Sequence, residues 1–137
     1  MSGAVADLSQ LLRSMQPALN PGVYVFASLP PGTDVGEFEP IATFRETEGV
    51  TLVVEEQRAQ RAGIPVLFRA SWLTLTVHSD LQAVGRTAAV AGALTRANIS
   101  CNVIAAAFHD HIFVPVADGE RALCVLQALQ RQASAQA

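Results

Sequence analysis

The fold is decided in the second half of the chain, where residues 72–129 read WLTLTVHSDLQAVGRTAAVAGALTRANISCNVIAAAFHDHIFVPVADGERALCVLQAL. At the start of this stretch Leu73 and Leu75 alternate with Thr74 and Thr76, and a period of two predicts a strand with one buried face. The next apolar residues recur at helical spacing and predict a helix that ends near Asn98, with its apolar face formed by Val84, Ala88, Ala91 and Leu94.

Two more strands and a helix follow in the same stretch. The pattern predicts strands at residues 100–108 and 111–116, with a tight connection at His109 and Asp110. Asp118 is then expected to cap a last helix, whose apolar face is formed by Ala122, Val125, Leu126 and Leu129. In order, the second half is therefore β-α-β-β-α.

The first half of the chain is a less regular version of the same pattern. It begins with a helix that we expect to be capped by Asp7 and to end before Pro17, with apolar positions at Leu8, Leu11, Leu12 and Met15. A turn at residues 20–22 leads to a strand at 23–29. A loop at 30–40, a hairpin of strands 41–45 and 50–55, and a helix at 57–62 that Gly63 stops follow.

Each half lacks one strand of the ferredoxin-like β-α-β-β-α-β unit. Only Ser134–Ala137 follow the last helix, so the second half has to take its final strand from elsewhere in the chain. We therefore predict an α+β fold of two strand-exchanged βαββαβ-type modules, residues 1–70 and 71–137. Their antiparallel sheets are expected to carry helices on one face and to form one compact pseudo-repeat.

Composition excludes several classes of function. The 137 residues carry a formal charge of -3, and all nine basic side chains are scattered arginines, so we expect no nucleic-acid partner. No apolar run is long enough for a membrane span or a secretion signal, so we expect a soluble, cytoplasmic protein with no membrane partner. Cys101 and Cys124 lie in apolar periodic segments and are expected to be reduced core residues.

The sequence offers little for catalysis or metal binding. His109 and His111 form an H-x-H pair with His78 as a third imidazole, but zinc needs three or four converging ligands, and we expect no metal site. Ser79 directly follows His78, and neighbouring strand residues point to opposite faces, so no nucleophile and base are paired. We therefore expect no enzyme and no cofactor.

Several segments together resemble the ACT domain family. The C-terminal segments resemble the ACT-like modules of aspartate kinases and of animal arginine sensors, and the N-terminal segments are similar to small bacterial proteins built from two ACT-like halves. The segments that carry the resemblance are VHSDLQAVG (77–85), NISCNVI (98–104), HDHIFVPV (109–116), ERAL (120–123), LNPGVYVF (19–26) and EGVTLVVE (48–55).

The resemblance implies a ligand site where the first strand of a module turns into its first helix, against the second strand of a neighbouring module. Carried over to this chain, the turn comprises His78, Ser79, Asp80, Val84 and Gly85, and the second-strand side and following segment comprise Asn102, Ile104, Ala106, Phe108 and Asp110. Free N–H groups at a helix start suit a carboxylate, and Gly85 permits close approach. By analogy with the arginine sensors, Asp110 is expected to meet the ligand's charged nitrogen.

Asp80 and Gly85 also have purely structural interpretations. Asp80 is also a good cap for a helix that begins near Leu81, and Gly85 within a helical pattern also suits close packing of helix on sheet.

The resemblance implies a regulatory protein that binds a free amino acid or a similar small ligand. The ligand's carboxylate would meet backbone N–H groups and its amino group Asp80 or Asp110, in one site per chain or in a site shared across a dimer. Such a protein is expected to form a homodimer and to act through its own oligomer or through a partner protein. The alternative is an ACT-like homodimer that binds no metabolite and serves only as an interaction module.

Overall fold

A computed structural model describes the backbone of residues 2–76 and 85–135, and the side chains of the same residues from Leu8 onward. The helices are α1 (Ser2–Arg13), α2 (Glu56–Ala62), α3 (Arg86–Arg96) and α4 (Gly119–Ala135). The strands are β1 (Pro17–Leu19), β2 (Tyr24–Leu29), β3 (Ala42–Arg45), β4 (Val50–Glu55), β5 (Phe68–Leu75), β6 (Asn102–Ala105) and β7 (Asp110–Pro115). Two 3-10 turns lie at Gly36–Phe38 and Val116–Asp118.

The seven strands of the described residues join one antiparallel sheet, in which β5 connects the two halves. The sheet order is β3-β4-β2-β5-β7-β6, and β1 pairs with the end of β5. The first residues of β5, Phe68–Ala70, pair with β2, whereas Ala70–Leu75 pair with β7. Strand β5 therefore ends the first module and begins the second.

Strand β1 supplies the strand that the second half lacks. Pro17, Ala18 and Leu19 pair with Leu75, Thr74 and Leu73 on the free side of β5. The order β1-β5-β7-β6 then matches the order β5-β2-β4-β3, so both halves have the same ferredoxin-like arrangement. The prediction of two strand-exchanged ferredoxin-like modules is confirmed.

Helices cover one face of this sheet. Leu73, Leu75, Ile112 and Val114 point toward α1, α3 and α4, where they pack with Leu94 and Leu126 among others. In the first half, Val25 and Val54 pack with Ala59 of α2. Burial of this apolar face is the main stabilising contribution that orders the helices on the sheet.

The opposite, helix-free face of the sheet is rich in aromatic side chains. Tyr24 and Trp72 meet edge to face with ring centroids 5.1 Å apart, and Phe26 and Phe113 do so at 5.3 Å. Phe113 is 1% exposed although no described helix lies over it. These rings therefore form a second small core on the side of the sheet away from the helices.

Several local predictions are wrong in the first half of the chain. Helix α1 begins at Ser2, so Asp7 lies inside the helix and does not cap it. Alanines at positions 4 and 6 have high helix propensity and extend the helix toward the N-terminus. Strand β1 is not predicted at all, because three residues show no periodicity and only pairing with β5 makes them a strand.

The second half also departs from the sequence pattern. Strand β6 stops at Ala105, because the N–H of Ala106 donates to the carbonyl of His109 and closes a turn there. Asp110 is therefore the first residue of β7 and does not lie in the turn. Asp118 precedes α4, but its carboxylate accepts a hydrogen bond from Arg121. Cys124 is exposed on α4 and not a core residue, whereas Cys101 is partly buried.

Among the described residues, no helix has the length and apolar character needed to cross a bilayer.

Candidate functional site

The predicted ligand site lies at the end of the sheet where the chain leaves β5 for α3. The connecting residues 77–84 lie outside the described part of the structure, and His78, Ser79, Asp80 and Val84 are among them. Two predicted residues, Gly85 and Asp110, are described at this end of the sheet, together with Arg86, which the prediction did not include. Asp110 belongs to this end of the sheet because it pairs with Leu75 and Ala105, the last residues of their strands.

A buried ion pair connects α3 to the sheet at this place. The Nε of Arg86 donates to Oδ2 of Asp110 at 2.7 Å, and the two side chains are 6% and 3% exposed. Transfer of two charges from water into a protein interior is costly, and the cost is offset only when the charges meet in good geometry. Asp110 thus already meets one guanidinium, a contact that the sequence pattern did not predict.

Gly85 occupies the N-cap position of α3 and is not part of the helix. Its φ is +96°, a left-handed conformation in which a side chain would be strained. A Cβ at this position would lie 3.4 Å from Cδ2 of Leu8, so α1 packs directly against the start of α3. The helix-packing interpretation of this glycine is therefore supported, with α1 as the neighbour in place of the sheet.

The sheet register separates the other predicted residues from Asp110. Asp110 pairs with Leu75 and shares its helix-covered face, whereas Ile104 pairs with His111 and Asn102 with Phe113 on the helix-free face. Ala106 lines a cavity on that same helix-free side. Phe108 lies in the turn between β6 and β7 and is 66% exposed. The structure therefore places Gly85 and Asp110 together and puts the second-strand residues on the opposite face.

The cavity on the helix-free face has a volume of about 410 Å³. It is lined by Ile41, Ala42, Trp72, Ile104, Ala106, His111 and Phe113. Ala42 is on β3 and Ile104 on β6, the two ends of the sheet order, so the sheet curls until its ends face one another. Sequence periodicity does not reveal this cavity, because curling of the sheet is a property of the whole fold.

A short chain of hydrogen bonds holds His111 at the cavity wall. Nδ1 of His111 accepts from Nε1 of Trp72 at 3.0 Å, and it lies 3.2 Å from the hydroxyl of Thr74. That hydroxyl accepts from the side-chain amide of Asn20 at 2.9 Å and can donate to the ring. Because the indole can only donate, Nδ1 is an acceptor and the ring is the Nε2–H tautomer.

The electrostatic surroundings also favour a neutral ring. Burial lowers the pKa of His111 below its usual 6.5, and the neighbouring His109 lowers it further, whereas Asp110 acts in the opposite direction. The rings of His109 and His111 meet edge to face with centroids 6.4 Å apart. Over the described residues, no three His, Cys, Asp or Glu side chains converge as metal ligands.

Both halves of the chain match a known protein family. Two family models described as ACT domain match the chain, one over residues 3–71 and the other over residues 67–128. A search of curated proteins finds no match.

Solved structures extend this likeness to the whole fold. A Vibrio cholerae protein of unknown function, described as a possible transport protein, is 47% identical over 93% of this chain and 98% of its own, with a TM-score of 0.84. The regulatory subunit of aspartate kinase from Thermus flavus is 10% identical over 83% of this chain and 96% of its own, with a TM-score of 0.63. Aspartate kinase from Clostridium acetobutylicum is 12% identical over 85% of this chain and 34% of its own, with a TM-score of 0.62. The last two show a shared fold.

Proposed function

Because this chain belongs to the ACT domain family, whose members are regulatory modules, we propose that it binds a free amino acid or a similar small zwitterion. The bound state would then change its own oligomer or a partner protein. The proposed site is the β5–α3 end of the sheet, and six of the ten residues that the resemblance implies remain its candidates: His78, Ser79, Asp80, Val84, Gly85 and Asp110. The other four belong to the helix-free side or to the β6–β7 turn, namely Asn102, Ile104, Ala106 and Phe108. Regulation follows if the ligand binds one assembly state more tightly than the other.

The observation that carries this proposal is the buried Arg86–Asp110 pair beside the start of α3. An amino acid carries one negative and one positive group, so it could replace the contact between these two buried charges by pairing with each of them. The first N–H groups of α3 also favour a carboxylate at that end of the helix. The ligand's carboxylate would therefore lie near Gly85 and Arg86, and its ammonium near Asp110 or Asp80.

A thermal-shift screen of the twenty amino acids tests the proposal. A ligand at 100 times its Kd adds about 2.7 kcal/mol to the free energy of unfolding. For a chain of this length that corresponds to roughly 9 °C in Tm. A screen in which no amino acid raises Tm would contradict the proposal.

Gly85→Val locates the site, and Gly32→Val is its matched control. Both glycines have positive φ, so both substitutions strain the backbone, but a Cβ at Gly32 meets nothing within 4 Å. We expect Gly85→Val to abolish the ligand-induced rise in Tm and Gly32→Val to retain it. Retention in both folded variants would place the site elsewhere.

The division into modules 1–70 and 71–137, a cytoplasmic location and the absence of catalysis remain part of this proposal. Burial raises the pKa of the Cys101 thiol, which makes it a poor nucleophile and supports a non-catalytic role.

An interaction module without a ligand is the second candidate function, and the edge strand β3 favours it. Within the described ranges, strand β3 pairs only with β4 and leaves its other side open, and its Phe44 is 71% exposed. An open strand edge with an exposed aromatic ring suits pairing with a second copy of the chain. We expect Phe44→Glu to convert a dimer to a monomer in sedimentation velocity. Phe108, in the turn between β6 and β7, is similarly exposed at 66%, and Phe108→Glu should leave the dimer intact.

A further inference from the structure

The cavity on the helix-free face has the form of a second binding site, separate from the proposed amino acid site. Its volume of about 410 Å³ falls within the range of roughly 300–1,000 Å³ that is typical of small-molecule pockets. Ile41 and Ile104 lie on opposite walls, and each is 38% exposed. The cavity between the two ends of the sheet therefore exposes apolar side chains to solvent.

The residues that line the cavity favour an uncharged ligand. None of the seven lining residues is an aspartate, a glutamate or an arginine, so neither a carboxylate nor an ammonium would find a countercharge there. Desolvation of a charged ligand would then be uncompensated. The partly buried ring of Trp72, which stacks on the buried Phe113 with an angle of 17° between their planes, instead offers flat apolar surface.

One polar group in the lining is oriented in advance. Trp72 and Thr74 hold Nδ1 of His111, so the proton of the ring is on Nε2. Nε2 of His111 has no hydrogen-bond partner among the described residues. Every fully buried side-chain nitrogen or oxygen of these residues does have a partner, so Nε2 is not fully buried. It is therefore accessible and can donate one hydrogen bond. A single fixed donor in an apolar pocket selects ligands with an acceptor at a matching position.

We propose that this cavity binds a small uncharged molecule that is mostly apolar and carries one carbonyl-type oxygen, which accepts a hydrogen bond from Nε2 of His111. The apolar body of the molecule lies against the ring of Trp72, between Ile41 and Ile104 at the two ends of the sheet. The proposal does not depend on amino acid binding at the β5–α3 end, because the cavity lies on the face of the sheet opposite Asp110.

Trp72 makes the proposal testable, because it is the only tryptophan in the chain and its indole N–H gives one NMR signal. Acetophenone serves as the probe with a carbonyl, isopropylbenzene as a probe of similar shape without one, and phenylalanine as a charged probe. We expect acetophenone to shift the indole signal saturably. Isopropylbenzene should bind about three- to tenfold more weakly, the fold-change for one neutral hydrogen bond, and phenylalanine should leave the signal unchanged.

A matched pair of variants on β3 places the probe in the cavity. Ala42→Phe fills the cavity from its wall, whereas Thr43→Phe adds the same ring to the next residue, which points to the opposite side of the sheet and is exposed. We expect acetophenone binding to be lost in Ala42→Phe and retained in Thr43→Phe. If Ala42→Phe does not fold, His111→Phe replaces it, and there we expect the preference for acetophenone over isopropylbenzene to disappear.

Three results would overturn the proposal. The first is an indole signal that no neutral probe shifts up to its solubility limit. The second is equal affinity for acetophenone and isopropylbenzene in the unmodified chain. The third is an indole signal that shifts on simple dilution of the protein, which would identify this face as a contact between two copies.

Discussion

Removal of one partner from the Arg86–Asp110 pair should destabilise the protein strongly. Asp110→Ala leaves the guanidinium of Arg86, a side chain only 6% exposed, without its carboxylate in the protein interior. Loss of one partner from a buried pair costs about 3–5 kcal/mol, because the remaining charge is uncompensated. For 137 residues this corresponds to a fall in Tm of roughly 10–17 °C.

Urea unfolding followed by circular dichroism measures this change, and two further variants complete the test. The double variant Arg86→Met with Asp110→Leu removes both charges, and it should recover most of the lost stability because apolar residues of similar volume fill the space. Asp118→Asn alters a surface pair whose side chains are 51% and 25% exposed, and it should change stability by no more than about 1 kcal/mol.

A cost of less than about 1 kcal/mol for Asp110→Ala would contradict this prediction, because that value is typical of pairs that remain hydrated. A double variant as unstable as the single one would contradict it as well. In that case the loss would come from other contacts of these residues and not from the unpaired charge.

Two further predictions concern titration and close packing. His111 should titrate in NMR with a midpoint below 6.5; because its folded pKa is lowered, its contribution to stability is complete above pH 6.5 and is lost as the pH falls toward the folded value. His109→Gln should raise that midpoint, since His109 contributes to the lowering, and a wild-type midpoint at or above 6.5 would contradict the assignment. Gly119→Ala should cost about 1–3 kcal/mol in urea unfolding, since its Cβ would lie 2.6 Å from Oγ of Ser71. Gly92→Ala, inside α3 and near only the flexible end of a side chain, should instead gain up to about 1 kcal/mol, and equal effects of the two alanines would refute the packing argument.

Much of the candidate site could not be predicted, because its residues come from distant parts of the chain. The sequence singled out Gly85 and Asp110 through a family resemblance, and both lie at the β5–α3 end of the sheet. It did not predict that Arg86 binds Asp110, since 24 residues separate them and no local pattern connects an arginine to a particular carboxylate. Nor did it predict that Ile104 faces away from Asp110, which depends on where β6 ends and the turn begins.

The sequence alone determined which segments form most of the helices and strands and roughly where they begin and end. The alternation at Leu73 and Leu75 and the stop at Gly63 are local features, and local backbone preferences were sufficient to predict them. The count of strands even required that one be exchanged between the halves. Tertiary structure alone decided which strand fills the gap, because Pro17–Leu19 become a strand only when they pair with β5 more than fifty residues away. It also decided that the ends of the sheet enclose a cavity beside His111, since the curl of a sheet comes from all its strands together and from no single segment.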